Sequence, residues 1–303
     1  MRKGQAGWGL LGVLLAIGCG SDSGSSGSSG GGGGGSGGSA PPAAGFYQDA
    51  TLQAGGLTRY FDYYIPSGTG ASAPLVIVLH GGTGDNKVLQ AGAQGKWMAL
   101  ADAEKWILLY PNGTSSTTGL SGPTGDFNWN DGRIGPFPGK THADDVGFVS
   151  TLIDWAAANL GIDRNRVYCT GASNGGMMSF RLAIELSHRI AAIGAIVANL
   201  PEGNEFTRTQ PEHPVPVLIM NGTADPLMTW DGSPGLINIG NVLSSFETRD
   251  FWRAFLGTGA VPVRTDFPDV NTTDSSTVFL ETYGGGAQGS ELLFYTVTGG
   301  GHT

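Results

Sequence analysis

Three residues of this sequence have the types and the order that turn a hydroxyl into a nucleophile: Ser173, Asp225 and His302. A serine hydroxyl is weak by itself. It attacks a carbonyl only when an imidazole takes its proton and a carboxylate holds that imidazole in the right tautomer. Ser173 lies at the centre of Gly171-Ala172-Ser173-Asn174-Gly175. Asp225 follows in Asn221-Gly222-Thr223-Ala224-Asp225, and His302, in Gly300-Gly301-His302, is the only histidine after it. Nucleophile, acid and base in that chain order suit acyl transfer. Asp231 is the runner-up for the acid.

The pentapeptide must be a tight strand-to-helix turn. Arg166 to Thr170 has strand character, and a helical pattern follows Asn174. Glycines at 171 and 175 remove Cβ atoms where the backbone folds on itself, and the Asn174 amide, at the helix start, can face a developing oxyanion. A second donor is expected after the apolar run Pro74 to Leu79, in His80-Gly81-Gly82-Thr83-Gly84, from the amide of Gly82 or Thr83, with Thr83 preferred. His80 precedes the serine and reads as a loop-positioning residue. Trp129, in Phe127-Asn128-Trp129-Asn130-Asp131, is expected either to line a substrate pocket or to anchor its loop on the core, and Trp230 to line the entrance. His142 with Asp144 or Asp145 lacks a complete metal-ligand set; acidic residues here suit a helix start. No step calls for a cofactor.

The positioning elements are legible as alternating runs. Residues 56–66, 74–79, 106–110, 165–170, 190–198, 215–221, 277–283 and 291–297 read as strands, several of them continuous apolar runs of the kind buried on both faces of a parallel sheet. Residues 88–105, 146–160, 174–186 and 242–255 read as helices. The stretch 112–142 is irregular, and 199–214 is a loop with room for a short helix. Pro216 is expected at the first position of its strand.

Ahead of this domain the composition changes. Arg2 and Lys3 followed by the apolar run Trp8 to Ile17 read as an export signal, too short to span a bilayer. Ala16-Ile17-Gly18-Cys19 looks like a lipobox, which makes Cys19 the expected lipidated N-terminus and the membrane a partner through that anchor. Gly20 to Gly45, nearly all Gly and Ser, cannot bury apolar surface and reads as a tether. Residues 1–18 are therefore assigned to the signal, 19–45 to the anchored tether and 46–303 to one catalytic domain. The full chain carries a net charge of −9. Without Arg2 and Lys3 it holds 14 basic against 25 acidic side chains, a net −11 that argues against nucleic acid as a partner. Only two cysteines are present; with Cys19 lipidated, Cys169 is expected as a buried, inert thiol.

Leu79-His80-Gly81-Gly82, Asp144-Asp145-Val146-Gly147-Phe148, Arg166 to Gly176, Asn221 to Asp225 and Gly300-Gly301-His302 together resemble the polyhydroxybutyrate depolymerase and feruloyl esterase family of the α/β-hydrolase superfamily. The resemblance covers about residues 60–303. It implies an α/β-hydrolase fold, a mostly parallel central sheet with helices on both faces. It also implies an exported serine esterase acting on polyester or on hydroxycinnamoyl or acetyl esters of polysaccharide, with Ser173, Asp225 and His302 as nucleophile, acid and base. Members of that family continue past the histidine with a Trp-Pro-Gly run, where this sequence stops at Thr303. A surface-tethered binding protein on an inactive hydrolase fold is the alternative.

Overall fold

The structure, a computed structural model, describes residues 42–92, 94–209 and 213–302. The expected signal, Cys19 and nearly all of the tether lie outside them. The described residues contribute ten strands to one sheet, in the order β1-β2-β4-β3-β5-β6-β7-β10-β9-β8. These are β1 (Gly45–Ala54), β2 (Leu57–Ile65), β3 (Ala73–Leu79), β4 (Ile107–Pro111), β5 (Ile162–Ala172), β6 (Ala192–Ile196), β7 (Val217–Gly222), β8 (Val263–Asp266), β9 (Thr277–Tyr283) and β10 (Leu292–Thr298). The middle six, β4-β3-β5-β6-β7-β10, run parallel; β1 and β2 on one flank, β9 and β8 on the other, are added antiparallel. The mostly parallel sheet expected from the apolar runs is present.

Both faces are covered, which is why the central strands have no polar face. Along β3, Leu75, Ile77 and Leu79 enter one core, while Val76 and Val78 enter the other. The first core packs against helices α3 (Asp145–Asn159), α4 (Asn174–Glu185) and α5 (Ser245–Leu256), through Phe148, Leu152, Phe180 and Trp252. The second packs against α2 (Gln94–Glu104) through Trp97 and Ala101, with Leu89 of α1 (Asn86–Gly92) beside it. Each such side chain removed from water contributes about 1.5–3 kcal/mol, so the sheet's middle is the most firmly held part of the molecule. Cys169 of β5 is fully buried; burial pushes its thiol up to about 12, and its Sγ lies 3.6 Å from Ser179 Oγ.

Local signals set the helix ends. Asp144 caps α3 by accepting from the Gly147 amide at 2.8 Å, and Ser244 and Glu247 form a reciprocal capping box at α5. The structure departs from the sequence reading at several points. Helix is present over residues 88–92 and 94–104 of the expected 88–105, in α1 and α2, whereas no helix is found among the described residues of 199–214. Strands β1 and β8 carry no continuous apolar run and were not expected. Pro216 stands just before its strand, its carbonyl accepting from the Ile193 amide at 3.0 Å.

Candidate active site

Ser173 sits at the carboxyl end of β5, in a backbone conformation that is rare for a residue with a side chain (φ 55°, ψ −120°). Strain of this kind costs about 1–3 kcal/mol and persists only where the surroundings over-determine it. Here they do. A Cβ on Gly171 would come within 2.5 Å of the Gly175 carbonyl carbon, and one on Gly175 within 2.5 Å of the His80 oxygen. Only glycine lets β5, α4 and the end of β3 approach so closely. The turn is also tied to the sheet, since the Ser173 amide donates to the Ile196 carbonyl at 2.9 Å. The hydroxyl has no hydrogen-bond partner among the described residues.

Three strands away, the loops after β7 and β10 meet. His302 Nδ1 lies 2.7 Å from Asp225 Oδ2, the carboxylate being 1% and the imidazole 18% exposed. The other carboxylate oxygen accepts from the Leu227 and Met228 amides, each at 2.8 Å. The loop therefore fixes the carboxylate's plane and leaves one oxygen for the imidazole. With Nδ1–H donated to Asp225, the His302 Nε2 is the nitrogen left to take a proton. Backbone contacts hold the imidazole's loop in place: the Ala224 amide donates to the Gly300 carbonyl at 2.9 Å, and the Gly299 amide to Thr223 Oγ1 at 2.9 Å. Asp231, the runner-up acid, instead accepts from the Ser233 hydroxyl at 2.6 Å and amide at 3.0 Å. Beneath the acid loop, Asn221 Nδ2 donates to Asn199 Oδ1 at 2.8 Å and to Ser245 Oγ at 3.1 Å.

Of the expected oxyanion donors, the Asn174 amide begins α4, where the first amides of a helix have no intrahelical acceptor. Of the two amides in the loop after β3, that of Thr83, the preferred one, donates to Asn128 Oδ1 at 3.1 Å, whereas the Gly82 amide has no partner among the described residues, which favours Gly82. His80 positions its loop. Its Nε2 accepts from the Gly113 amide at 3.0 Å, and Nδ1 donates to the Gly81 carbonyl at 2.7 Å. Burial drives this imidazole down to about 4, so it is neutral at physiological pH.

Trp129 takes the anchoring one of its two expected roles. It is 2% exposed, donates its indole N–H to the His80 carbonyl at 3.0 Å and packs on the His80 ring. It anchors the loop and offers no surface to a substrate. Trp230 is half-buried, edge-on to Phe246 with centroids 5.2 Å apart. Asp144 is used as a helix cap, and Asp145 is held by Arg59 at 2.6 Å and the Asn130 amide at 2.7 Å. A groove of about 560 Å³ opens beside the acid loop, lined by Glu202, residues 231–243 and Glu247 rather than by Ser173 or His302.

Sequence reading missed Asn128, Asp131 and Arg133. Asn174 Nδ2 donates to Asp131 Oδ2 at 2.6 Å, and Asp131 pairs with Arg133 at 2.8 Å. The one signal was their place in the irregular stretch 112–142; the partners that tie Asn128 and Asp131 to the site, Thr83 and Asn174, lie 45 and 43 positions away.

The comparisons with known proteins fit this geometry. The profile of a phospholipase/carboxylesterase family matches residues 62–232. A putative esterase of Nocardia uniformis is 28% identical over 84% of this chain and 74% of its own length. A bifunctional acetylxylan esterase/xylanase of Neocallimastix patriciarum is 29% identical over 60% of this chain, and feruloyl esterase B of Piromyces equi 28% identical over 78%. The matched regions span only 24% and 41% of those two proteins. Among solved structures, the acetyl xylan esterase from Aspergillus awamori superposes with a TM-score of 0.52 at 18% identity, covering 81% of this chain and 89% of its own; the likeness is one of fold.

Proposed function

The chain belongs to the phospholipase/carboxylesterase family, and on that premise we propose that it is an exported serine esterase working through an acyl-enzyme. The observation that carries the proposal is the 2.7 Å contact between His302 Nδ1 and Asp225 Oδ2, made on the same carboxyl edge of the sheet as the strained turn at Ser173. Ligands of open α/β sheets bind at that edge. No hydrogen bond joins Ser173 to His302 among the described residues; catalytic bonds of this kind tighten when substrate is in place.

In the proposed reaction His302 Nε2 takes the Ser173 proton as Oγ attacks the ester carbonyl. Asp225 stabilises the imidazolium. The Asn174 and Gly82 amides receive the oxyanion, each donor of this kind being worth about 3 kcal/mol in the transition state. The alcohol leaves with the proton from His302. Water, deprotonated by the same imidazole, then attacks the acyl-serine; the acid is released as Ser173 Oγ regains its proton from His302, and no cofactor enters.

The substrates proposed are feruloyl or acetyl esters of polysaccharide, or hydroxyalkanoate polyester, with Trp230 facing them. The names of the relatives, which include a poly(3-hydroxyalkanoate) depolymerase of Paucimonas lemoignei at 33% identity over 40% of this chain, favour that range. Removal of residues 1–18, lipidation of Cys19 and a tether to residue 45 would hold the enzyme outside the cytoplasm at a bacterial membrane.

Ser173→Ala is expected to abolish turnover of a short aryl ester and labelling by a fluorophosphonate while the circular dichroism spectrum is unchanged. Retained turnover would refute the assignment. A folded wild-type protein that the fluorophosphonate leaves unlabelled would favour the binding-protein alternative.

A further inference from the structure

Residues Asn128 to Asp131 belong to none of the named strands or helices, yet they reach both sides of the oxyanion site proposed above. On the β3 side, Asn128 Oδ1 accepts the Thr83 amide at 3.1 Å and the Trp129 indole donates to the His80 carbonyl at 3.0 Å. On the α4 side, the segment grips the Asn174 side chain. The Trp129 amide donates to Asn174 Oδ1 at 2.7 Å, and Asn174 Nδ2 donates to the Trp129 carbonyl at 3.0 Å and to Asp131 Oδ2 at 2.6 Å. Every polar atom of that carboxamide is therefore engaged.

The acceptor at its far end has to be a carboxylate. Asp131 Oδ1 accepts from the Arg133 amide at 3.1 Å and from Arg133 Nε at 3.0 Å. Oδ2 accepts from the same Nε at 3.0 Å, from Nη2 at 2.8 Å and from Asn174. Donors surround both oxygens, and the group is nearly fully buried. An amide in this place would turn one N–H against another N–H. Arg133 is fixed in turn: its guanidinium donates to the Ile239 carbonyl and lies 4.1 Å from the Phe137 ring centroid.

We infer that Asp131 is a positioning residue for the oxyanion site, acting through the Asn174 side chain to aim the Asn174 backbone amide. The inference rests on the serine-esterase reading. Asn174 directly follows Ser173 and its own N–H is the donor, so a carboxamide held at both ends fixes the Cα to which that amide is bonded. A loop anchor alone would not need to contact that one residue at the elbow.

The test uses the full chain and compares wild type with Asp131→Asn, Asn174→Ala and the double variant. It measures kcat and KM for a short aryl ester, and inhibition by phenylboronic acid, which bonds to the serine oxygen and places a boronate oxygen where the oxyanion forms. Each single substitution is expected to lower kcat by about tenfold to a hundredfold, with KM within about twofold, because misaimed groups of this kind lose rate rather than binding. Boronate affinity should fall in proportion. The double variant should be no slower than the slower single, as required of residues acting through one group. A folded Asp131→Asn protein with wild-type kcat, or losses that multiply in the double variant, would overturn the inference. Should Asp131→Asn fail to fold, Asn174→Ala decides alone, and unchanged kcat and boronate affinity would overturn it equally. A wild-type protein unlabelled by a fluorophosphonate removes the esterase reading and this inference with it; a labelled wild type with an indifferent Asp131→Asn removes only the inference.

Discussion

His80 sits in a shell of contacts that only its neutral form can satisfy. One ring nitrogen accepts from Gly113 and the other donates to Gly81, and burial lowers the imidazole from 6.5 to about 4. Between those two values the unfolded chain binds a proton that the folded chain refuses. Stability therefore falls as the pH drops from about 6.5 towards 4 and is regained above that window. The full shift corresponds to a loss on the order of 3 kcal/mol. His80→Gln is expected to be less stable at neutral pH but to show a flatter change in urea midpoint between pH 7 and pH 4.5. Equal slopes in the two proteins would show that some other group carries the acid sensitivity. At this scale the triad candidates were legible because their types and order are restrictive. Asp131 was not, since its meaning comes from Asn174, which lies 43 positions away. The choice between Gly82 and Thr83 turned on a side chain, Asn128, that no local pattern connects to either.

At the scale of elements, the closest approach in the site is between the end of β7 and the loop after β10. A Cβ on Gly222 would lie 2.2 Å from the Gly300 oxygen and 2.8 Å from the Gly301 oxygen. Gly222→Ala must push that loop outward, and His302 travels with it. Displacements of about 1 Å cost roughly a hundredfold in rate. The variant is expected to keep its secondary structure by circular dichroism and to lose about that much in kcat for an aryl ester. Activity within a factor of about two would mean that the imidazole is held by Asp225 alone. The runs in β3, β4 and β7 were readable because strands buried on both faces admit little but apolar residues. Strand β1, with its exposed and half-exposed residues, lacks that signature. Its pairing with β2 defines it, and pairing is not written in one strand's own composition. Trp129 shows the converse. A tryptophan in an irregular stretch fits either a pocket wall or an anchor, and only the indole bond to His80 decides.

At the scale of the whole molecule, the strands of the described domain join one sheet from Gly45 onward. Strand β1 begins at Gly45, and the first side-chain contact in the described chain is Tyr47 Oη to the Ala43 carbonyl at 2.8 Å. A chain starting at Pro42 is expected to melt within about 2 °C of the full-length protein and to keep its kcat, since a 1 kcal/mol change would move the midpoint by only a few degrees in a domain of this size. It should also appear in the soluble fraction if the anchor at Cys19 is as proposed. A large fall in either quantity would mean that the leading residues pack on the domain. One further point concerns how such a sheet is completed. Strand β10, which delivers the imidazole, lies between β7 and β9 instead of at a rim. A polypeptide not yet extended through β10 would have a gap in mid-sheet and would lack the imidazole proposed to take the Ser173 proton. Hydrolysis by the proposed route would therefore wait until that strand had threaded between its two neighbours.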